Sequence, residues 1–314
     1  AHGAGDDSHG HAIVWRPRRA VGRGHAEAPD ALVHIDRTGA AAGNSVAVGM
    51  TDELAIIDRA VEQYNPSHVF GLFSGGHDSL CACHIAAQHP AFTGCVHINT
   101  GIGIEETRQF VRDTCAEQGW PLREYHPTEK YEDICIKHGF PGPAGHRYMY
   151  IKLKERCLRQ LLRDTRDPEN RRRKIAFICG TRRGESSRRK MGMDGEIKTD
   201  QPNPSPRVIW VAPIIEWLSE DKRLYMAANK LRSNLVSDTL CMSGECLCGA
   251  FAKANELEEI RRFYPAAAAE IDRISALVKD AGKHHAWGTR PGKRIHPDQA
   301  ELPLCWSCEA KAEV

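Results

Sequence analysis

Between residues 68 and 220 the chain alternates short apolar runs with longer amphipathic stretches. His68 to Phe73, Gly94 to Asn99, Leu122 to Tyr125, Lys174 to Cys179 and Arg207 to Val211 read as strands. Each is short, mainly apolar and followed by glycine, proline or charge. Helices are predicted between them, from about Asp78 to Gln88, from about Glu105 to Glu117, and over a long basic stretch from Tyr148 to Arg163. Upstream, Leu54, Ile57 and Val61 recur at helical spacing behind Asp52, a candidate cap. Strands separated by helices predict an α/β fold, a mainly parallel twisted sheet with helices on both faces. Ligands of such sheets sit at the carboxyl ends of the strands. After Ser219 the pattern turns helical. The expected domains are therefore a disordered extension over 1–49, a sheet domain over 50–220 and a helical, cysteine-rich region over 221–314, with no internal repeat.

Composition narrows this picture. The chain has 314 residues and is 41% hydrophobic, enough for one large α/β core with an appendage. A net charge of +2 gives no global bias towards nucleic acid or membranes, although Arg171-Arg172-Arg173-Lys174 and Arg182 to Lys190 are locally basic. No apolar run reaches the length of a membrane span, which predicts a soluble protein. Residues 1–49 are rich in Gly, Ala, His, Arg and Asp. They read as a solvated extension ahead of Met50, the expected natural start, with His2, His9 and His11 in solution. Twelve cysteines without a secretory signal predict a reducing cytoplasm. Seven of them, Cys81, Cys83, Cys95, Cys115, Cys135, Cys157 and Cys179, read as small buried hydrophobes.

The loop Ser74-Gly75-Gly76-His77-Asp78-Ser79 follows one strand and opens a helix. Two glycines let the backbone turn tightly and approach a ligand. Unpaired amides at the start of the helix suit a phosphate, and Ser74 and Ser79 add hydroxyl donors. Asp78 is placed to cap the helix or to help hold Mg²⁺. The spacing is too short for a Walker loop, and no Lys-Ser/Thr pair follows. A second loop, Gly180-Thr181-Arg182-Arg183-Gly184-Glu185-Ser186-Ser187-Arg188-Arg189, leaves a later strand. Its guanidinium groups suit bidentate binding of phosphate or sulfate oxygens.

The remaining five cysteines, Cys241, Cys246, Cys248, Cys305 and Cys308, form Cys-x4-Cys-x-Cys and a distant Cys-x2-Cys. Five paired-up thiols predict a metal site, with Cys246, Cys248, Cys305 and Cys308 as first ligands and Cys241 in reserve. Zn²⁺ and a [4Fe-4S] cluster both take four thiolates. A redox-active disulfide at Cys305 and Cys308 is the minority alternative.

Taken together, the two loops resemble the SGGxDS ATP pyrophosphatase group, an adenine nucleotide alpha hydrolase-like, Rossmann-like family. It includes the phosphoadenylylsulfate (PAPS) reductases and the sulfurtransferases of DNA phosphorothioation. The resemblance spans roughly residues 65 to 220. It extends to His97-Ile98-Asn99-Thr100-Gly101 with Glu105-Glu106-Thr107, and to Ala212-Pro213-Ile214-Ile215-Glu216-Trp217. His77 and Asn99 depart from it, standing where the family commonly has Lys and Asp. Gly139 to Tyr150 is similar to a substrate-facing segment, with His146 and Lys154 beside an anionic substrate or, equally, on a capping loop and a solvated face.

The resemblance implies that ATP (or PAPS) is held by Ser74 to Ser79, by Asn99, Thr100 and Gly101, and by Gly180, Thr181, Arg182, Arg183 and Ser186. It implies catalytic roles for Asp78, Ser74, Arg182 and Arg189, with Mg²⁺, and it tilts the metal towards [4Fe-4S]. The expected reaction is cleavage of ATP to AMP and pyrophosphate, activating an acceptor for sulfur transfer. A cysteine desulfurase would be the sulfur donor and nucleic acid a candidate acceptor. The alternatives are reduction of PAPS or adenylylsulfate to sulfite, and nucleotide sensing without turnover. The tail after Cys308 lacks the Glu-Cys-Gly-Leu-His-like motif of the reductases, which moves the expectation from reduction to activation.

Overall fold

The computed structural model describes residues 52–184, 193, 195–199 and 201–290. The expected disordered extension, Ser186, Arg189, Cys305 and Cys308 lie outside the described residues.

Six strands form one sheet in the order β3-β2-β1-β4-β6-β5. They are β1 (Val69–Leu72), β2 (Phe92–Ile98), β3 (Leu122–Tyr125), β4 (Ile175–Ile178), β5 (Ile197–Lys198) and β6 (Val208–Val211). All pair in parallel except β5, a two-residue antiparallel edge on β6. The helices are α1 (Asp52–Tyr64), α2 (His77–Ala86), α3 (Glu105–Glu117), α4 (Tyr131–His138), α5 (His146–Tyr150), α6 (Arg156–Asp164), α7 (Ser219–Ala228), α8 (Leu235–Leu240), α9 (Glu256–Phe263) and α10 (Pro265–Asp280).

Alternation along the strands sends side chains to two cores. Val69, Ala176, Ile178, Ile209 and Val211 face one side, with Ile57 of α1, Leu80 of α2 and Val111 of α3. Phe70, Ile175, Phe177 and Val208 face the other, under Leu158, Leu161 and Leu162 of α6. Burial of each leucine contributes about 1.5–3 kcal/mol. Helix α2 is buried nearly all round, which its Leu80-Cys81-Ala82-Cys83 run requires. Six of the seven scattered cysteines are buried and Cys179 is half-buried. Burial pushes the Cys157 thiol up to about 11 and Cys135 to about 12, so both stay protonated at neutral pH.

Two differences from the sequence reading have physical causes. The long basic helix is interrupted: a π-helical turn, Ile151–Glu155, joins α5 to α6. Helix α4 is not predicted because it is only eight residues long and buries just Tyr131, Ile134 and Cys135.

The described residues form two compact units, one within 1–128 and 152–246, the other within 129–151 and 247–314. The expected boundary at residue 220 falls inside the first unit, which keeps α7 and α8 with the sheet. In the second unit, α9 and α10 pack together, Arg273 of α10 pairs with Glu132 of α4 at 2.6 Å, and Trp287 donates its indole N–H to the Leu247 carbonyl at 2.8 Å. No helix among the described residues is long and apolar enough to cross a membrane.

Candidate nucleotide site at the sheet switch point

Strand β1 lies between β2 and β4, so the connections leaving β1 and β4 run to opposite sides of the sheet. A crevice at the carboxyl ends follows from that reversal. The Ser74 to Ser79 loop and the described start of the second loop, Gly180 to Gly184, meet in it. The backbone at Gly180, just after β4, approaches the start of α2 so closely that a Cβ there would lie 2.4 Å from the Asp78 carbonyl carbon.

The first loop has the geometry of a phosphate cradle. Gly75 adopts φ +79°, and a Cβ on it would lie 2.6 Å from Thr107 Cγ2. Gly76 is the N-cap of α2, and no side chain caps that helix end, so its first amides remain available to an anion. Ser79 Oγ donates to the Gly76 carbonyl at 2.7 Å and accepts from the Ser74 amide at 3.3 Å, with Ser74 Oγ 3.2 Å away. The loop is braced from behind: Asn234 donates to the Gly75 carbonyl at 2.8 Å, and Thr107 donates to the Ser243 carbonyl at 2.6 Å.

Asp78 does not cap the helix. Its Oδ1 accepts from Arg182 Nε at 2.9 Å and lies 3.2 Å from Lys222 Nζ. Arg182 is buried and also reaches the Trp217 carbonyl at 3.4 Å. Trp217 in turn donates to buried Glu53 at 2.8 Å, which explains the Pro213 to Trp217 segment as a structural closure beside the site. With its carboxylate shared by two cations, Asp78 is poorly suited to be a resident Mg²⁺ ligand. Among the described residues no group of three or more His, Cys, Asp or Glu side chains is arranged for a metal.

His77 points away from the cradle. Its Nε2 is 2.9 Å from Ser233 Oγ and 3.5 Å from Asp238, and burial pulls its pKa below the usual histidine value against the opposing pull of Asp238. At neutral pH it is therefore a neutral anchor for the residues ahead of α8. Arg183 pairs with Glu216. Thr181 Oγ reaches the Cys179 sulfur at 3.6 Å.

Asn99 and Thr100 are buried and engaged. Asn99 donates to Glu124 at 2.9 Å, and its Oδ1 accepts from the Gly101 amide at 3.1 Å. Thr100 is held by Glu245, its amide 2.8 Å from Oε1 and its hydroxyl 2.7 Å from the carbonyl. Gly101, with φ +77°, faces open space. Of this trio, only Gly101 has a free surface for a nucleoside.

Sequence reasoning missed Lys222, Asn234 and Glu245. Lys222 sits within an ordinary charged helix, Ser219-Glu220-Asp221-Lys222-Arg223, with nothing local to mark it. Asn234 had a readable sign: it caps α8, accepting from the Val236 amide at 3.0 Å. Glu245 is buried and lies 3.2 Å from buried His97 and 3.6 Å from Arg108, close enough to pair but not aligned as hydrogen bonds.

The described thiols do not make a metal site by themselves. Cys241 is exposed in a left-handed conformation at the end of α8, while Cys246 and Cys248 are half-buried. Of the substrate-facing candidates, His146 packs tilted against Phe251 in the second unit, ring centroids 4.6 Å apart, and Lys154 belongs to the first. The segment from Gly139 to Gly145 lines a cavity of about 620 Å³ in the second unit, together with His138, Tyr148, Met149 and Arg290.

A parallel α/β sheet with a glycine-rich anion loop at its switch point defines a nucleotide-binding class of protein. Residues 68–243, more than half of the chain, match the phosphoadenosine phosphosulfate reductase domain, and the chain belongs to that family. Similar solved structures include the PAPS reductase of Candida auris in a phosphate complex. It is 16% identical, with 64% of this chain and 94% of that chain covered and a TM-score of 0.45. Another is the FMN adenylyltransferase of Candida glabrata with FAD and inorganic pyrophosphate, 12% identical over 60% of this chain and 57% of that one, with a TM-score of 0.41. No curated protein matches.

Proposed function

We propose that the protein cleaves ATP to AMP and pyrophosphate, activating an acceptor for sulfur transfer. The observation that carries this reading is the meeting of an uncapped helix start, a left-handed Gly75 and the cluster of half-buried Asp78 and Lys222 with buried Arg182 at one switch point. An acceptor oxygen attacks the α-phosphorus and forms a P–O bond. The bond from the α-phosphorus to the bridging oxygen breaks, pyrophosphate leaves, and the acceptor proton passes to solvent. A sulfur nucleophile then displaces AMP from the activated acceptor. The loop amides and Ser74 hold the triphosphate, while Arg182 and Lys222 offset the charge that builds on the leaving pyrophosphate. Asp78 orients both cations. Any Mg²⁺ arrives with the nucleotide phosphates, as this ion commonly does.

The family membership equally favours a second reading, reduction of PAPS or adenylylsulfate to sulfite. Purified protein with ATP and Mg²⁺ separates the two. Pyrophosphate release that disappears in Asp78→Ala supports the first. Sulfite formed from PAPS with thioredoxin, without pyrophosphate release from ATP, supports the second. Nucleotide binding without either product would make the chain a sensing subunit.

The thiols of Cys246, Cys248, Cys305 and Cys308, with Cys241 in reserve, would hold a metal, with [4Fe-4S] ahead of Zn²⁺. Such a group would lend structural support or electron and sulfur chemistry. Anaerobic purification decides it: a brown protein supports the cluster, and a colourless, zinc-loaded one overturns it. A reducing cytoplasm suits the thiols, with a cysteine desulfurase as sulfur donor and nucleic acid as the acceptor.

A further inference from the structure

The nucleotide chemistry leaves the run Arg171-Arg172-Arg173-Lys174 unused. This run leads into β4 at the amino end of the sheet, the edge opposite the Ser74 loop. Ser67 and His68 precede β1, Arg207 precedes β6, and Arg123 is the second residue of β3. The amino ends of β3, β4 and β6 therefore bring arginines together beside Ser67 and His68 of β1. Two adjoining cavities of about 350 and 340 Å³ open there. Arg123, Arg166 and His68 line the first, Tyr64, Arg172 and Lys174 the second, and Arg173 lines both.

The connection that carries these arginines is fixed in place. The Asp167 carboxylate accepts from the amides of Glu169 at 2.9 Å and Asn170 at 3.0 Å. Arg173 donates to the Asn65 carbonyl at 3.2 Å, Arg207 to the Arg171 carbonyl at 3.1 Å, and the Ser67 amide to the Lys174 carbonyl at 2.9 Å. Two nearby carboxylates, Asp164 and Asp167, are already engaged, while Glu169 is exposed on the same connection. Asp167 holds its turn and faces Arg173 at 3.6 Å, and Asp164 accepts from Tyr125 at 3.0 Å and from Gln160 at 2.6 Å. Among the described residues, no hydrogen bond or ion pair ties the guanidinium groups of Arg166, Arg171 and Arg172. Like charges are crowded here. After burial, the proximity of Arg166 is what lowers the Arg207 pKa, and Arg123 and Arg173 act in the same way on His68. Such crowding costs stability in the free protein, and a bound polyanion relieves it.

We propose that this amino-end edge is a nucleic-acid docking surface, gripping the phosphodiester backbone through Arg166, Arg171 and Arg172. A strand rather than a single phosphate is favoured because the cations spread along the ends of β3, β4 and β6 and two cavities instead of converging on one point. A nucleic acid strand presents a charge every ~3.4 Å. Lys174 over the Tyr64 ring, 5.3 Å from its centroid, places an aromatic among the cations, as single-strand binders do. Strands of four residues separate the two edges by roughly 13 Å, so the surface anchors nucleic acid instead of feeding it to the nucleotide loop. The inference does not depend on ATP cleavage.

The test is fluorescence anisotropy with the full chain and labelled duplex DNA, single-stranded DNA and RNA of equal length, titrated from about 50 to 200 mM salt. At least one probe should bind, and its affinity should fall steeply with salt. Combined Arg166→Gln, Arg171→Gln and Arg172→Gln should weaken binding at least ~10-fold and flatten the salt slope by about two to three. The matching Arg→Lys triple variant should retain most of the binding, because it keeps the charge. Thermal melting checks that the glutamine variant is folded, and Arg171→Gln alone serves if it is not, with a smaller loss in the same direction. Absence of binding at the lowest salt, or unchanged binding by the glutamine variants, would overturn the proposal. So would equal affinity for polyglutamate, which would indicate an acidic protein partner, or full displacement by millimolar inorganic phosphate at constant ionic strength, which would indicate a single-anion pocket.

Discussion

The two edges of the parallel sheet use arginine in opposite ways. At the carboxyl edge Arg182 is buried and bonded to Asp78, beside Lys222, so its position is set before any ligand arrives. At the amino edge the guanidinium groups of Arg166, Arg171 and Arg172 have no bonded partners among the described residues, on a connection that is itself well fixed. A preorganised cation suits transition-state charge, which forms at one point. Unbonded guanidinium groups on a firm base suit an extended polyanion, whose affinity comes from many loose contacts. Positive charge alone does not distinguish the two edges; the state of the neighbouring carboxylates does.

The sharpest way to break this comparison is Arg182→Ala. It should lower kcat/KM for pyrophosphate release by about 10²–10³-fold, the effect of losing one fixed charge-stabilising donor. Arg166→Gln, at the other edge, should leave that rate unchanged. Steady-state pyrophosphate assays on the two variants check both halves. A rate within threefold of wild type for Arg182→Ala would remove the functional contrast between the edges.

Next in size are the close approaches that shape the carboxyl edge. Gly180→Ala forces a methyl against Asp78 backbone that cannot yield, and Gly75→Ala combines φ +79° with a Thr107 contact at 2.6 Å. Each should cost about 1–3 kcal/mol of stability and weaken nucleotide binding. Gly101→Ala has a similar φ of +77° but open space around it, so it should cost only about 1 kcal/mol. Urea midpoints for the three variants separate steric from conformational terms.

Much of this edge was legible in the sequence because its signals are local. The glycine pair, the preceding apolar run and the following helix sit within about twenty residues, and the same is true of the arginine loop after β4. Family membership confirmed what those motifs implied about class. The electrostatic roles were less accessible. Asp78 read as a helix cap or Mg²⁺ ligand because its neighbours in sequence gave no hint of Arg182, 104 residues away, or of Lys222. His77 read as one member of the nucleotide-holding loop, whereas its bonds go to Ser233 and towards Asp238. The free arginines at the amino edge were visible as a basic run, but that their carboxylate neighbours were engaged elsewhere was a tertiary fact. The π-helical turn at Ile151–Glu155 left no trace in an apolar pattern that remains helical through it.

Lys222 gives a milder test. Lys222→Met keeps the aliphatic stem of a half-buried side chain and removes one of the two cations on Asp78. Nucleotide affinity should fall severalfold, up to ~10-fold, with the thermal midpoint little changed, by calorimetric titration and melting. His77→Lys should recover part of that loss if its ammonium turns into the cradle. No recovery would show that the Ser233 and Asp238 contacts hold position 77 away from the phosphates.

The smallest effect concerns Glu124, which links α3 to the Asn99 turn. Its carboxylate accepts from Arg112 at 2.9 and 3.0 Å and from Asn99 at 2.9 Å. The Arg112 guanidinium holds its pKa down at about 2, against an ordinary 4.5. A carboxylate with a depressed folded pKa binds fewer protons in the folded than in the unfolded state between those values. Its stabilising contribution is therefore complete above about pH 4.5 and is lost as the pH falls through about 2. Because Arg112 is more than a third exposed, solvent screening limits the contribution to about 1 kcal/mol. Glu124→Gln should lower stability by that amount at pH 6 and should flatten the acid limb between pH 4.5 and 2, measured by urea unfolding at stepped pH. An acid limb as steep as wild type would show that the Asn99 turn is held by Glu245 and Thr100 alone.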